Sequence, residues 1–262
     1  MIIDFHAHIY PAKIAEKASK TIGDFYHIPM EYKGSPEQLL ASGSRIGVNH
    51  YIVHSTATAP HQVESINNYI IGEISAHPEF IGFGTIHPEY DNFDAELRRI
   101  KEAGLKGIKL HPDFQKFAVD CPEMDKIYDV IAELKLPVLT HAGDFRYDFS
   151  GPQRIAHVLE KHPDLVMIAA HFGGYTEWDK SEKYLVGKNV YFDTSSSLWK
   201  ISTEQAMRII HNHGVDKMLF GVDYPMWDHK EELERFNKLD LNKEDRDAIL
   251  YKNALRILNM EE

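Results

Sequence analysis

Eight short runs rich in Val, Ile and Phe recur along this chain, and their alternation with amphipathic stretches narrows the fold more than any other feature. They read MIIDF (1–5), VNHYIVHS (48–55), FIGFGTI (80–86), LKGIKL (105–110), LPVLT (136–140), LVMIAA (165–170), VYFDTS (190–195) and MLFGVD (218–223). Runs that are apolar on both faces suit strands of a parallel sheet covered by helices. Between most of them lie helical patterns, at 61–77, 91–104, 121–135 and 203–214. Asp91, Pro122 and Thr203 act as start signals for the last three, and Gly104 and Gly214 as stop signals. Eight such units predict an α/β chain closed into a (β/α)8 TIM barrel, one domain over residues 1–262. An open doubly wound sheet usually has fewer strands and a glycine-rich phosphate turn after the first. No G-x-G-x-x-G follows the first run here. The stretch from Tyr10 to Pro36 is the longest connection without clear periodicity, and we expect it to hold a short helix covering one mouth of the barrel.

Composition excludes several classes of function. The formal net charge of −11 argues against nucleic acid and against an anionic membrane surface as partners. A lone cysteine, Cys121, allows no intramolecular disulfide and no thiolate zinc site, so any metal must rest on nitrogen and oxygen. No apolar run approaches the roughly 18 residues of a membrane helix. The opening MIIDFHAHIYP lacks the charged start and long apolar core of a signal peptide, and the expected location is the cytoplasm. Sixteen histidines exceed what packing needs in a chain of this size.

Those histidines are not scattered. In a barrel the reactive mouth lies where strands end and βα loops begin. His6 and His8 end the first run, Lys109 and His111 the fourth, His141 the fifth and His171 the sixth, while Asp223 ends the eighth. Residues i and i+2 share a face of a strand, so His6 pairs with His8. Gly107 likewise shares a face with Lys109 and His111, and Gly221 with Asp223. The glycines are read as leaving space for a ligand. Imidazoles and a carboxylate brought together lose hydration, at a cost of several kcal/mol unless they are paired or coordinating. A divalent ion resolves that conflict. Zinc leads the candidates, with Mn, Fe, Co and Ni also compatible with imidazole and carboxylate. His87 and His111 each precede proline, so a structural turn weighs equally there. His50 and His54 share a strand face and are more readily packing than ligands. His157, His162, His211 and His213 are read as surface residues of helices.

With those residues in place the chain resembles the amidohydrolase superfamily, in particular the branch that includes aminocarboxymuconate-semialdehyde decarboxylase. The motifs are DFHAH, THAG, AHFGG and GVDYP, in order from residue 4 to residue 225. H-x-H alone is weak; the ordered set is specific. The resemblance implies that His6, His8, His141 and Asp223 bind a metal, and that His171 stands beside it and acts on bound water or substrate. Members with two ions often carry a carboxylated lysine on the fourth strand, where Lys109 stands. One ion or two, and a carboxylated Lys109 or one that grips an acidic substrate, therefore both stay open. A homodimer is compatible with the branch.

Such a centre supports two reactions on a small, acidic substrate. Metal-bound water, its pKa lowered from 15.7 towards roughly 7, would cleave an amide, ester or lactone, with Asp223 as proton carrier and His171 stabilising charge. This hydrolase reading is preferred because it asks only for activated water. The alternative is a non-oxidative decarboxylase of an unsaturated or aromatic acid. Lys109, Arg146, Trp199 and Tyr224, which follow or end strands, are expected to line the substrate pocket. A third reading, a barrel kept only for ligand binding, fits poorly with an intact set of donors.

Overall fold

In the computed structural model, which describes residues 1–261, eight parallel strands follow one another around a single sheet in chain order. They are β1 (Ile3–His8), β2 (His50–His54), β3 (Phe80–Thr85), β4 (Gly107–Leu110), β5 (Val138–Thr140), β6 (Met167–Ala169), β7 (Tyr191–Asp193) and β8 (Met218–Leu219). The register pairs His8 with His54 across β1 and β2, and Lys109 with Leu139 across β4 and β5. The sheet closes where the chain beyond β8 returns to β1. The Phe5 amide donates to the Phe220 carbonyl at 2.8 Å, and the Asp223 amide to the His6 carbonyl at 2.8 Å. The chain is thus a single-domain (β/α)8 barrel.

The sequence makes this closure favourable because nearly every strand residue is buried. Phe5 and Phe83 meet edge to face inside the barrel wall, with ring centroids 5.8 Å apart. Each such side chain contributes about 1.5–3 kcal/mol through burial. The register of β1 slips between Asp4 and Ala7. The Asp4 carboxylate occupies the irregularity, accepting from the amides of His6 (3.0 Å) and Val222 (2.9 Å) and lying 3.1 Å from His229 Nε2. Irregularities of this kind re-aim side chains beside functional sites. Here it falls immediately before His6.

The four helical patterns form helices at Val63–Ala76, Phe93–Glu102, Asp125–Glu133 and Thr203–His213. The last is capped by the Ser202 side chain, which accepts from the Gln205 amide. The connection after β1 differs from expectation. It holds a helix of 15 residues, α1 (Ala12–Tyr26), rather than a short one. Its fully buried residues are the small Ala15, Ser19 and Gly23, and Phe25 and Tyr26 near its end pack on Phe114. His162 and His213, read as surface residues, are buried. Among the described residues no helix is long and apolar enough to cross a membrane.

Candidate metal centre

At the mouth of the barrel, β1 delivers both of its imidazoles to one carboxylate oxygen. Asp223 Oδ1 lies 3.4 Å from His6 Nε2 and 3.3 Å from His8 Nε2. Ligands at roughly 2.0–2.2 Å around a tetrahedral ion sit about 3.4 Å apart, so these separations match two edges of a coordination polyhedron. Asp223 and His171 both hold left-handed backbone angles, φ 66° and 62°. Non-glycine residues take up that conformation at some cost, and such residues cluster at functional sites. Ser196 anchors the other Asp223 oxygen through its hydroxyl.

The opposite edge of His6 is fixed by β7. His6 Nδ1 donates to Asp193 Oδ2 at 2.8 Å, which leaves Nε2 as a bare lone pair directed at Asp223 and Lys109. A carboxylate behind a ligating histidine selects its tautomer and raises its basicity. Burial, followed by the charge of Lys109, lowers the His6 pKa to about 4; burial lowers that of His8 as well. Both rings are neutral at pH 7, as ligands must be. Burial alone would raise Asp193 and Asp223. The His6 imidazole instead holds Asp193 at about 2, and the imidazoles of His6 and His8 hold Asp223 well below the usual carboxylate range.

Lys109 is fully buried, and its Nζ lies 2.9 Å from His6 Nε2. Burial pushes its pKa down to about 8, against the pull of Asp223 and Asp193. It addresses the same lone pair a metal would take. On the far side, His171 Nδ1 donates to the Ser195 carbonyl at 3.0 Å, and His171 Nε2 faces His141 Nδ1 at 3.0 Å. His141 Nε2 is buried without a hydrogen-bond partner; the nearest carboxylate, Asp113, is 3.9 Å away, and burial pushes that acid up to about 6. His111 does two jobs. It stacks on His141 at 4.1 Å with its Nε2 3.1 Å from the Tyr26 hydroxyl, and its Nδ1 accepts from the Phe114 amide to cap the turn at Pro112–Gln115. His54, read first as packing, ends within 4.4 Å of the His8 ring centre and 5.1 Å of that of His6.

These residues fit a divalent ion. Their lone pairs converge, their tautomers are set from behind, and His141 Nε2 and both nitrogens of His54 are buried and unpartnered among the described residues. His6, His171 and Asp193 also lie close enough to share an ion, but the His6–Asp193 hydrogen bond already accounts for that proximity. The cavity above has a floor of His6, His8, Lys109, His111, His141, His171 and Asp223. Its walls come from Ile22, Tyr26, Met30, Phe114, Tyr175 and Met226.

Three expected pocket residues lie elsewhere. The Arg146 guanidinium is clamped by both Asp144 oxygens, at 2.8 and 2.6 Å, and stacks on Phe25, so its charge is already neutralised. Tyr224 follows Asp223 and therefore points away from the mouth, packing on Tyr32 and His229. Trp199 stacks on Trp227 and donates to the Ser196 carbonyl, 38% exposed. The glycines open no space for a ligand either. A Cβ on Gly221 would meet His6 Cβ at 3.0 Å, and one on Gly107 would meet the Phe83 ring at 2.5 Å. Asp193, Ser195, Tyr26 and Tyr175 escaped the sequence reading. For Asp193 a signal existed, since DTSSS follows an apolar run just as Asp223 does.

An amidohydrolase family model matches residues 3–260. The decarboxylase orsB of Emericella nidulans is 25% identical over 138 residues, a match spanning 51% of this chain and 37% of that protein. Among solved structures, 5-carboxyvanillate decarboxylase from Sphingomonas paucimobilis superposes with a TM-score of 0.75 at 15% identity, covering 99% of both chains. A dihydroxybenzoic acid decarboxylase from Polaromonas sp. JS666, with bound manganese and the inhibitor 2-nitroresorcinol, gives 0.72 at 17% identity over 98% of this chain and 96% of that one.

Proposed function

The chain belongs to the amidohydrolase family, and from that premise we propose that it is a metal-dependent, non-oxidative decarboxylase of a small aromatic or unsaturated acid. The observation that carries this reading is the division of the cavity. A buried cation, Lys109, stands beside the metal centre, while Tyr26, Phe114 and Tyr175 wall the space above it. That arrangement suits a flat ring with anionic oxygens at one end. The similarity to orsB points the same way. Hydrolysis, favoured by the motifs alone, becomes the second reading.

His6, His8 and Asp223 would hold the ion, with His141 as a further donor. When bound, a divalent ion supplies Lewis-acid attraction for the substrate oxygens and offsets their charge. Zinc stays first on this nitrogen-rich set, and the Polaromonas enzyme makes manganese the second ion to test. Lys109 pairs with the remaining substrate charge. The aromatic walls orient the ring and exclude water. His171 is the proton donor: the Ser195 carbonyl holds the Nδ1 proton, so the doubly protonated ring gives up its proton from Nε2, the nitrogen that faces His141. A proton passes from Nε2 to the carbon bearing the carboxylate. The bond from that carbon to the carboxylate then breaks, its electron pair returns to the ring, and carbon dioxide leaves. His171 regains its proton from solvent, so one proton is taken up per turnover.

The test offers hydroxybenzoates, lactones and amides to protein loaded with zinc or manganese. We expect carbon dioxide from at least one aromatic acid and, in D2O, a single deuterium at the vacated carbon. Turnover of a lactone or amide, with no carbon dioxide from any acid, would overturn the proposal in favour of hydrolysis.

A further inference from the structure

We infer that His54, at the end of β2, is an additional nitrogen ligand of the ion held by His6 and His8; this rests on the metal-dependent reading above. A ring nitrogen from each of the three histidines lies within 4.8 Å of the other two, and all three side chains are buried. The β1–β2 register places His54 directly beside His8, so both side chains leave the sheet on the same side. His54 stands edge-on to His8, at an interplanar angle of 89°, and to His6, at 70°.

What separates His54 from the other buried histidines is that both its nitrogens lack a hydrogen-bond partner. His6 has Asp193, His171 has Ser195, His111 has Tyr26 and His229 has Asp4 and Ser42. The large majority of buried polar side-chain atoms in native proteins are paired, and each exception calls for an explanation. A histidine used only for packing would leave an acceptor and a donor stranded in the barrel. Coordination takes up the lone pair of one nitrogen, while the other keeps its proton. With His6, His8, His141 and Asp223, His54 brings the donor set to four imidazoles and one carboxylate. A nitrogen-rich set of that kind favours zinc over manganese.

The inference is tested by metal affinity, measured in competition with a chromophoric chelator, on wild type, His54→Phe and His54→Asn. Phenylalanine fills the site without a lone pair, and asparagine covers the case in which the larger ring does not fold; far-UV circular dichroism reports folding. The expected result is at least about a tenfold weaker zinc affinity, the scale of loss seen for groups that support a metal site. Cobalt-loaded protein should also show an altered visible spectrum. Unchanged affinity and spectrum in a folded variant overturn the role of His54 and leave the other ligands standing. Failure of the wild type to bind any divalent ion removes the functional reading itself. Crystals of the zinc-loaded wild type give the direct measurement: a His54 nitrogen about 2.0–2.1 Å from the ion supports the inference, and one beyond 3 Å overturns it.

Discussion

Asp193 accepts the Nδ1 proton of His6 at 2.8 Å, and this bond decides which nitrogen of His6 faces the cavity. The same carboxylate accepts from the His171 amide (2.9 Å) and from the Ser195 hydroxyl, so one β7 residue sets the positions of β1 and β6 groups together.

Asp193→Asn should therefore weaken metal binding about 10- to 100-fold without unfolding the chain. An amide can present its NH2 group to Nδ1 and release the wrong tautomer. Equilibrium dialysis against zinc checks this, and wild-type affinity in the variant would show that Asp193 merely packs.

Asp223→Asn removes the charge that both β1 imidazoles address. Turnover should fall at least about a hundredfold while the thermal transition of the metal-free protein stays cooperative. Activity near that of wild type would refute its assignment to the centre.

Lys109→Met distinguishes two roles. As a cation for an acidic substrate, its loss should raise KM or lower kcat/KM at least about tenfold, with metal content retained. If instead the amine is carboxylated, intact-protein mass spectrometry under bicarbonate will show added carbon dioxide, and the variant will lose metal.

Gly143→Ala tests how the THAG and AHFGG loops meet. Gly143 has φ 77°, and an added Cβ would lie 2.8 Å from Gly174 Cα. We expect a loss on the order of 1–3 kcal/mol, seen as a thermal midpoint lower by several degrees. An unchanged midpoint would mean that the two loops can separate freely.

His213 gives a pH dependence away from the mouth. Its Nδ1 accepts from the Gly187 amide and its Nε2 donates to the Val190 carbonyl, while burial lowers its pKa from 6.5 to about 4. The unfolded chain thus binds this proton first. The contribution to stability is complete above pH 6.5 and is lost as pH falls towards 4, on the order of 3 kcal/mol in all. Denaturant unfolding of His213→Gln should show a shallower decline across that window, whereas an identical slope would remove His213 as its source.

Much of the architecture was legible because strands buried on both faces leave continuous apolar runs, and polar residues just past those runs marked the mouth. The length of α1 was not legible: its fully buried positions are the small Ala15, Ser19 and Gly23, and the large side chains that pack, Ile22, Phe25 and Tyr26, are gathered at its C-terminal end. His6, His8 and Asp223 could be placed together from strand parity. Asp193 carried the same signal, a carboxylate at the end of an apolar run, but nothing local distinguishes one that braces an imidazole from one that caps a loop. Arg146, Trp199 and Tyr224 were misplaced for a related reason. Proximity in sequence to a strand end does not say where a side chain points, and each of the three has a nearer partner outside the cavity.

Because α1 contributes Ile22 and Tyr26 to the cavity wall, and the Tyr26 hydroxyl reaches His111 Nε2, traffic through the entrance cannot be independent of the polar interior. A molecule that displaces this helix on its way in also breaks a hydrogen bond to a ring stacked on His141. Arrival and chemistry are thus tied through one hydrogen bond, and substitutions that shift α1 should register in the reaction they never touch.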